Sequence, residues 1–427
     1  MTMYEISEDK LILGEDAIYS TDSNKTGVTN NVLCVGGTGS GKTVSLIEPR
    51  LLETFNSSLI VTVTKRRIVD KYKPLFQERG YSVLDMNFID PSASFVAYDP
   101  MKYVQSYADI HFLAESIVMA DQRKVGSIAD PYWDSTAISL FSALIAYTLM
   151  TKKDAAFTDV LTLIDNLDYQ EVGDGIVTSM DEHFKKLEEE GPCFATSCWR
   201  SFSKLPPKTA SCVFSSLNTT IDTLFSPALR KMIETKRNVD IEGLARRKSV
   251  LFISTSAVNT ALYSFINMFY SQAFKTLFEH AEKQPDGRLP IPVSVLCDDF
   301  ATGSPILKFP EYISIFREKG ISVMLLVQSE SQLESLYGAE KANTIIDNCD
   351  NYVFMGGMDL KTGRSISQRI DRPLDEVLSM PIGQEFVFRR GQRPIVTKRY
   401  NVTGHPVYQE VTRRYDKDVA DRKGAER

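Results

Sequence analysis

The sequence predicts an α/β fold, a doubly wound and mostly parallel sheet flanked by helices, interrupted by an all-helical inserted domain. Three observations predict it. From residue 31 short β-branched runs alternate with longer helical ones, several of the short runs are continuously apolar, and between about Tyr107 and Phe225 helical periodicity replaces the β signal. Continuous apolar runs are what parallel strands buried on both faces require.

The candidate strands are Val32 to Val35, Ser58 to Val63, Ser82 to Met86, Ser249 to Ser254, Val293 to Cys297, Ser322 to Val327, Tyr352 to Met355 and Glu385 to Phe388. Helical patterns between them cover Ile68 to Arg79, Ala261 to Ala281 and Tyr312 to Lys319. Inside the insertion Ala137, Leu140, Phe141, Leu144, Ile145 and Thr148 recur at spacings of three and four, an apolar helical stripe. The expected organisation is a first part of the sheet domain over residues 1–106, the helical insertion over 107–225, a second part over 226–405 and a charged tail over 406–427, frayed from Glu410 onward.

Composition narrows the class further. A chain of 427 residues, 43% hydrophobic and 24% charged, is neither disordered nor collagenous nor a coiled coil. With 49 Lys+Arg against 55 Asp+Glu the net charge is −6, so any attraction to nucleic acid or anionic lipid must come from a local patch. Cys34, Cys193, Cys198, Cys212, Cys297 and Cys349 form no C-x-x-C pair and, with 4 histidines, no zinc-ligand spacing. They read as small core residues in a reducing compartment. The opening MTMYEISEDKLILGED lacks the basic start and apolar core of a signal peptide. The stretch around Ala137 to Met150 is too short and too rich in Ser and Thr to span a bilayer, so no self-encoded membrane anchor is expected.

Chemistry enters after the first candidate strand. Val32 to Val35 runs into Gly36-Gly37-Thr38-Gly39-Ser40-Gly41-Lys42-Thr43, which matches G-x-x-x-x-G-K-[ST] in the required setting of strand, loop and helix. Glycines let the backbone turn its N–H groups toward phosphate oxygens, and the following helix adds its positive N-terminal end. Lys42 then reaches the β and γ phosphates of ATP and Thr43 holds Mg2+. Pro49, six residues after Thr43, should end or kink that helix early.

A second run, Ile291 to Cys297, ends in Asp298-Asp299. Carboxylates at a strand's C-terminal end face the phosphate crevice of an open α/β sheet, where Asp298 can hold the metal's water shell and Asp299 can orient or deprotonate the attacking water. Val323 to Val327 followed by Gln328 repeats the arrangement with an amide, a candidate γ-phosphate sensor. Arg200, Lys204 and Lys208 stand beside Trp199 and Phe202, the mix of cations and aromatics that suits single-stranded DNA.

In order, GGTGSGKTVSLIEPRLLE, SSLIVTVTKRRIVDKYKPLFQERGYSVLDM, DPYWDSTAISLFSALIAYTL, SVLCDDFATGSP, EKGISVMLLVQSESQLESLYG and TIIDNCDNYVFMGGMD resemble the conjugative coupling proteins of type IV secretion systems, the TraG/TraD type. The resemblance spans roughly residues 30–370. It implies a RecA-like P-loop ATPase at the inner face of the cell membrane, a hexamer that passes single-stranded DNA or a relaxase–DNA complex to a secretion channel. It also implies that Arg317 acts on a neighbouring subunit's ATP.

Three departures qualify it. Family members usually begin with transmembrane helices and no such pattern is read here, so membrane attachment is expected to come from partners or to be absent. The usual D-P-K-G-E after the second strand reads Val63-Thr64-Lys65-Arg66-Arg67, keeping only the lysine, and the usual second acid, Glu, is the shorter Asp299. Slow hydrolysis is expected, since a misplacement of about 1 Å can cost on the order of a hundredfold. Two rival readings fit the same residues: a protein-remodelling ATPase indifferent to DNA, and a weakly hydrolysing adaptor of a secretion system.

Overall fold

The computed structural model describes residues 8–120, 131–173, 175–256 and 260–425. Its main sheet has nine strands: β1 (Val32–Val35), β2 (Ser58–Val63), β3 (Ser82–Asn87), β4 (Ser249–Ser254), β5 (Val293–Cys297), β6 (Ile321–Val327), β7 (Asn351–Phe354), β8 (Gln384–Arg389) and β9 (Ile395–Lys398). Their spatial order is β9-β8-β7-β1-β6-β5-β2-β4-β3. All neighbours from β7 to β3 pair in parallel, and only β7–β8 and β8–β9 are antiparallel. Each strand expected from the sequence forms to within one residue at either end, and β9 is an addition.

The parallel strands are buried on both faces, and successive residues feed two cores. Leu33, Val35, Ile60, Leu251, Val295 and Val323 point to one side, where the helix Thr260–Glu282 and the insertion pack. Val32, Cys34, Leu59, Val61, Phe252 and Leu326 point to the other, against Leu46, Ile47 and Leu51 of the segment after β1 and the helix Arg66–Glu78. Because the parallel strands run the same way, their C-terminal ends line one edge of the sheet, where ligands of open α/β sheets bind.

Four expectations change. The insertion is not wholly helical: Tyr169–Val172 and Gly175–Thr178 form a small antiparallel hairpin. The C-terminal tail is a helix, Pro406–Ala425, anchored by buried Val411 and by the Lys71 ammonium lying 3.4 Å over the Tyr408 ring. Pro49 does not itself end the segment after the glycines, which runs on to Leu52. That segment is a π-helical turn, Thr43–Ile47, continued by an α-helix, Glu48–Leu52, in whose first turn Pro49 needs no N–H. Finally, Cys34, Cys297 and Cys349 are core residues, but Cys193 and Cys198 are half-buried and Cys212 is exposed. No described helix is long and apolar enough to cross a membrane.

Candidate active site

The glycine-rich loop leaves β1 at the edge formed by the strand ends. Gly39 and Gly41 have φ of +77° and +84°, conformations that side-chain-bearing residues rarely adopt. Gly36 N–H donates to the Val327 carbonyl at 3.1 Å and Gly37 N–H to that of Gly356 at 3.0 Å, so the loop is pinned between the ends of β6 and β7. Buried Lys42 turns its ammonium onto the carbonyls of Gly36 and, at 3.2 Å, Gly37. This holds the charge against the loop's own backbone.

β5 is not adjacent to β1, because β6 lies between them. Asp298, directly after β5, therefore stands two strand spacings away, about 10 Å. Thr43 closes the gap: its hydroxyl donates to Asp298 Oδ2 at 2.9 Å. The turn is fixed where Phe300 N–H donates to the Leu326 carbonyl at 3.0 Å, and Asp299 within it adopts φ +57°. Left-handed backbone at a non-glycine residue is the kind of local strain that concentrates at functional sites. Gln328 follows the intervening strand β6 and is exposed, its N–H donating to Gln332 Oε1 at 3.0 Å.

Burial, and then the neighbouring Asp299, push the Asp298 carboxyl up to about 6, against the pull of the Thr43 hydroxyl and the charges of Lys42 and Lys65. A hydroxyl and a carboxylate oxygen converging in this way suit a hard cation such as Mg2+, which keeps part of its water shell. Sequence reasoning missed one neighbour. Tyr263, on the helix Thr260–Glu282, is buried with no partner for its hydroxyl, and burial together with Asp299 and Asp298 raises its pKa. It belongs to no motif, and only the packing of its helix against the sheet brings it here.

Arg317 lies elsewhere. It lies in the last turn of the helix Phe309–Lys319, which enters β6 at its N-terminal end, so the seven residues of that strand, about 23 Å, lie between it and Gln328. The exposed guanidinium donates to the Ser23 carbonyl at 3.2 Å and lines a polar cavity of about 300 Å³ with Arg50 and Arg288. It stands at the edge of the sheet opposite the glycine-rich loop.

The basic patch survives only in part. Arg200 pairs with Glu188, while Lys204 and Lys208 are exposed. The aromatics beside them are core: Trp199 stacks on Phe184 with centroids 4.2 Å apart and donates its Nε1–H to Asp181 at 3.1 Å, and Phe202 is buried. They offer no face to a base.

Comparison with known proteins bears on the fold and the family. A plasmid coupling protein, TrwB, solved with the non-hydrolysable ATP analogue ADPNP, superposes with a TM-score of 0.64 at 15% identity, covering 87% of this chain and 85% of that one. TrwB with ADP and Mg2+ gives 0.59 at 16% identity over the same shares. VirB4 of Thermoanaerobacter pseudethanolicus gives 0.56 at 13% identity over 95% of this chain and 99% of that one. No curated protein matches the sequence. At such identities the likeness shows the fold, that of RecA-like nucleotide-binding proteins. The profile of type IV secretory system conjugative DNA transfer proteins matches residues 3–373, most of the chain, and on that match the chain belongs to this family.

Proposed function

We propose that this protein is an ATP-hydrolysing coupling protein that recruits DNA, or a relaxase–DNA complex, and drives it to a type IV secretion channel. One observation carries the reading: Thr43 and Asp298 meet across the strand that Gln328 follows, so loop, acid and amide converge on one edge of the sheet. Lys42 exchanges its backbone carbonyls for β and γ phosphates. Thr43 and Asp298 hold Mg2+, which neutralises phosphate charge. Asp299 orients the attacking water, and Gln328 stands where a γ-phosphate would be sensed.

Arg317 suits a head-to-tail ring, since in such a ring the edge opposite the loop meets the next subunit's phosphates. We place the ring, a hexamer, at the inner face of the cell membrane through partner proteins. Lys204 and Lys208 contribute to DNA contact through charge alone, with Arg200 released from Glu188 when a phosphate competes for it.

Single-turnover hydrolysis by wild type and Lys42→Ala, with and without single-stranded DNA, tests the proposal. It predicts hydrolysis that requires Lys42 and rises with DNA. Lys42-dependent hydrolysis unaffected by DNA would assign the chain to protein remodelling, and tight nucleotide binding without hydrolysis would make it an adaptor.

A further inference from the structure

The residues assigned so far reach from the phosphate loop toward β6 and β5. On its other side, toward β7 and β8, the structure places Arg399, which follows β9. Its backbone N–H donates to the Gly383 carbonyl at 2.9 Å, tying it to the turn before β8. Its Nη2 donates at 2.9 Å to the carbonyl of Met355, just past β7. Its Nη1 lies 3.9 Å from where a β-carbon on Gly41 would stand. One side chain thus ties the two outer turns together beside the phosphate loop.

Those turns carry apolar side chains in water: Met358 is 83% exposed and Ile382 97%. The guanidinium also has capacity to spare, because its Nε is buried without a partner. Glu385 pairs with Thr397 across β8–β9, which puts it one diagonal step from Arg399 on the same face of the ribbon. It is fully buried, with neither carboxylate oxygen partnered. Burial pushes its carboxyl up to about 8, so at neutral pH the acid beside Arg399 leaves the arginine's charge uncompensated.

A phosphate chain whose terminal group faces Asp298 and Gln328 must leave the loop on the opposite side, toward these turns. We propose that Arg399 seats the nucleoside end of the bound nucleotide, its planar guanidinium against the ribose and base, with Met358 and Ile382 as apolar contacts for the base. Guanidinium groups stack well on aromatic faces, and an Arg-to-base contact needs no base-edge hydrogen bonds. The proposal rests on the reading of the phosphate loop as a nucleotide site.

Calorimetric titration of the full chain with ATP and with inorganic tripolyphosphate, both with Mg2+, separates the two claims. In Arg399→Ala ATP should bind about tenfold more weakly while tripolyphosphate, which has no nucleoside, binds as in wild type. Unchanged ATP affinity overturns the proposal. So does equal weakening of both ligands, which would assign Arg399 to the phosphates or to the shape of the loop. Should Arg399→Ala fail to fold, exposed Ile382→Ser decides: weaker ATP with unchanged tripolyphosphate supports the seat, and unchanged ATP refutes it. If wild type binds neither ligand, or Lys42→Ala binds both like wild type, the phosphate-loop reading has failed and the seat falls with it.

Discussion

Asp298 and Glu385 are both buried carboxyls raised above the ordinary range, but only Asp298 has a hydroxyl partner, while Glu385 is opposed only by the charge of Arg399. Asp298→Asn should retain nucleotide yet lose the dependence of its affinity on Mg2+, because an amide attracts a hard cation and its waters poorly. Affinity measured across a Mg2+ titration checks this, and an unchanged titration would remove Asp298 from the metal site. For Glu385 the ordinary value is 4.5 and the folded value about 8. Between these limits the folded chain keeps a proton that the unfolded chain releases, so stability falls as pH rises. Glu385→Gln removes that loss. Its melting temperature should gain on wild type steadily from pH 5 to pH 8 and hold the gain above, whereas parallel curves would contradict the burial argument. Residues inside motifs were legible from the sequence: Gly36 to Thr43, Asp298 and Gln328 stand at the strand ends expected of them. Tyr263, Arg399 and Glu385 were not, because each reaches the site through packing between distant segments.

Among the elements, strands read more clearly than the segments around them. A parallel strand buried on both faces leaves an unbroken apolar run, as Val32–Val35 and Val293–Cys297 do. The hairpin Tyr169–Val172 with Gly175–Thr178 has a largely exposed first strand and left no such run. The terminal helix Pro406–Ala425 was hidden by its charge, since its hold on the body comes from a few contacts around Tyr408 and Val411. Inside the insertion, the order of the helices Asp181–Glu190 and Phe194–Ser203 depends on the Phe184–Trp199 stack and the Trp199–Asp181 hydrogen bond. Trp199→Ala should destabilise the protein by about 3–5 kcal/mol, as truncation of a buried aromatic does. Urea unfolding followed by circular dichroism measures this. A loss below about 1 kcal/mol would mean that Trp199 is a surface residue free to stack on DNA, the role its burial denies it.

At the scale of the whole molecule, the sheet separates two chemistries. Phosphate loop, acids and amide share the C-terminal edge, while Arg317, Arg288 and Arg50 border the cavity at the N-terminal edge. The sequence carried the alternation that makes such a sheet, but strand order, which sets β6 between loop and acid, is a property of the folded chain alone. Central to this account is that the loop of one subunit and Arg317 of the next form one catalytic unit. Steady-state hydrolysis by a one-to-one mixture of Lys42→Ala and Arg317→Ala tests it most directly. Each variant alone should be nearly inactive, the first for want of nucleotide and the second with nucleotide bound normally. Random assembly pairs an intact loop with an intact arginine at about a quarter of interfaces, so the mixture should recover about that fraction of the wild-type rate. A mixture no faster than its components, or a wild-type monomer hydrolysing ATP at full rate in proportion to its concentration, would contradict the account.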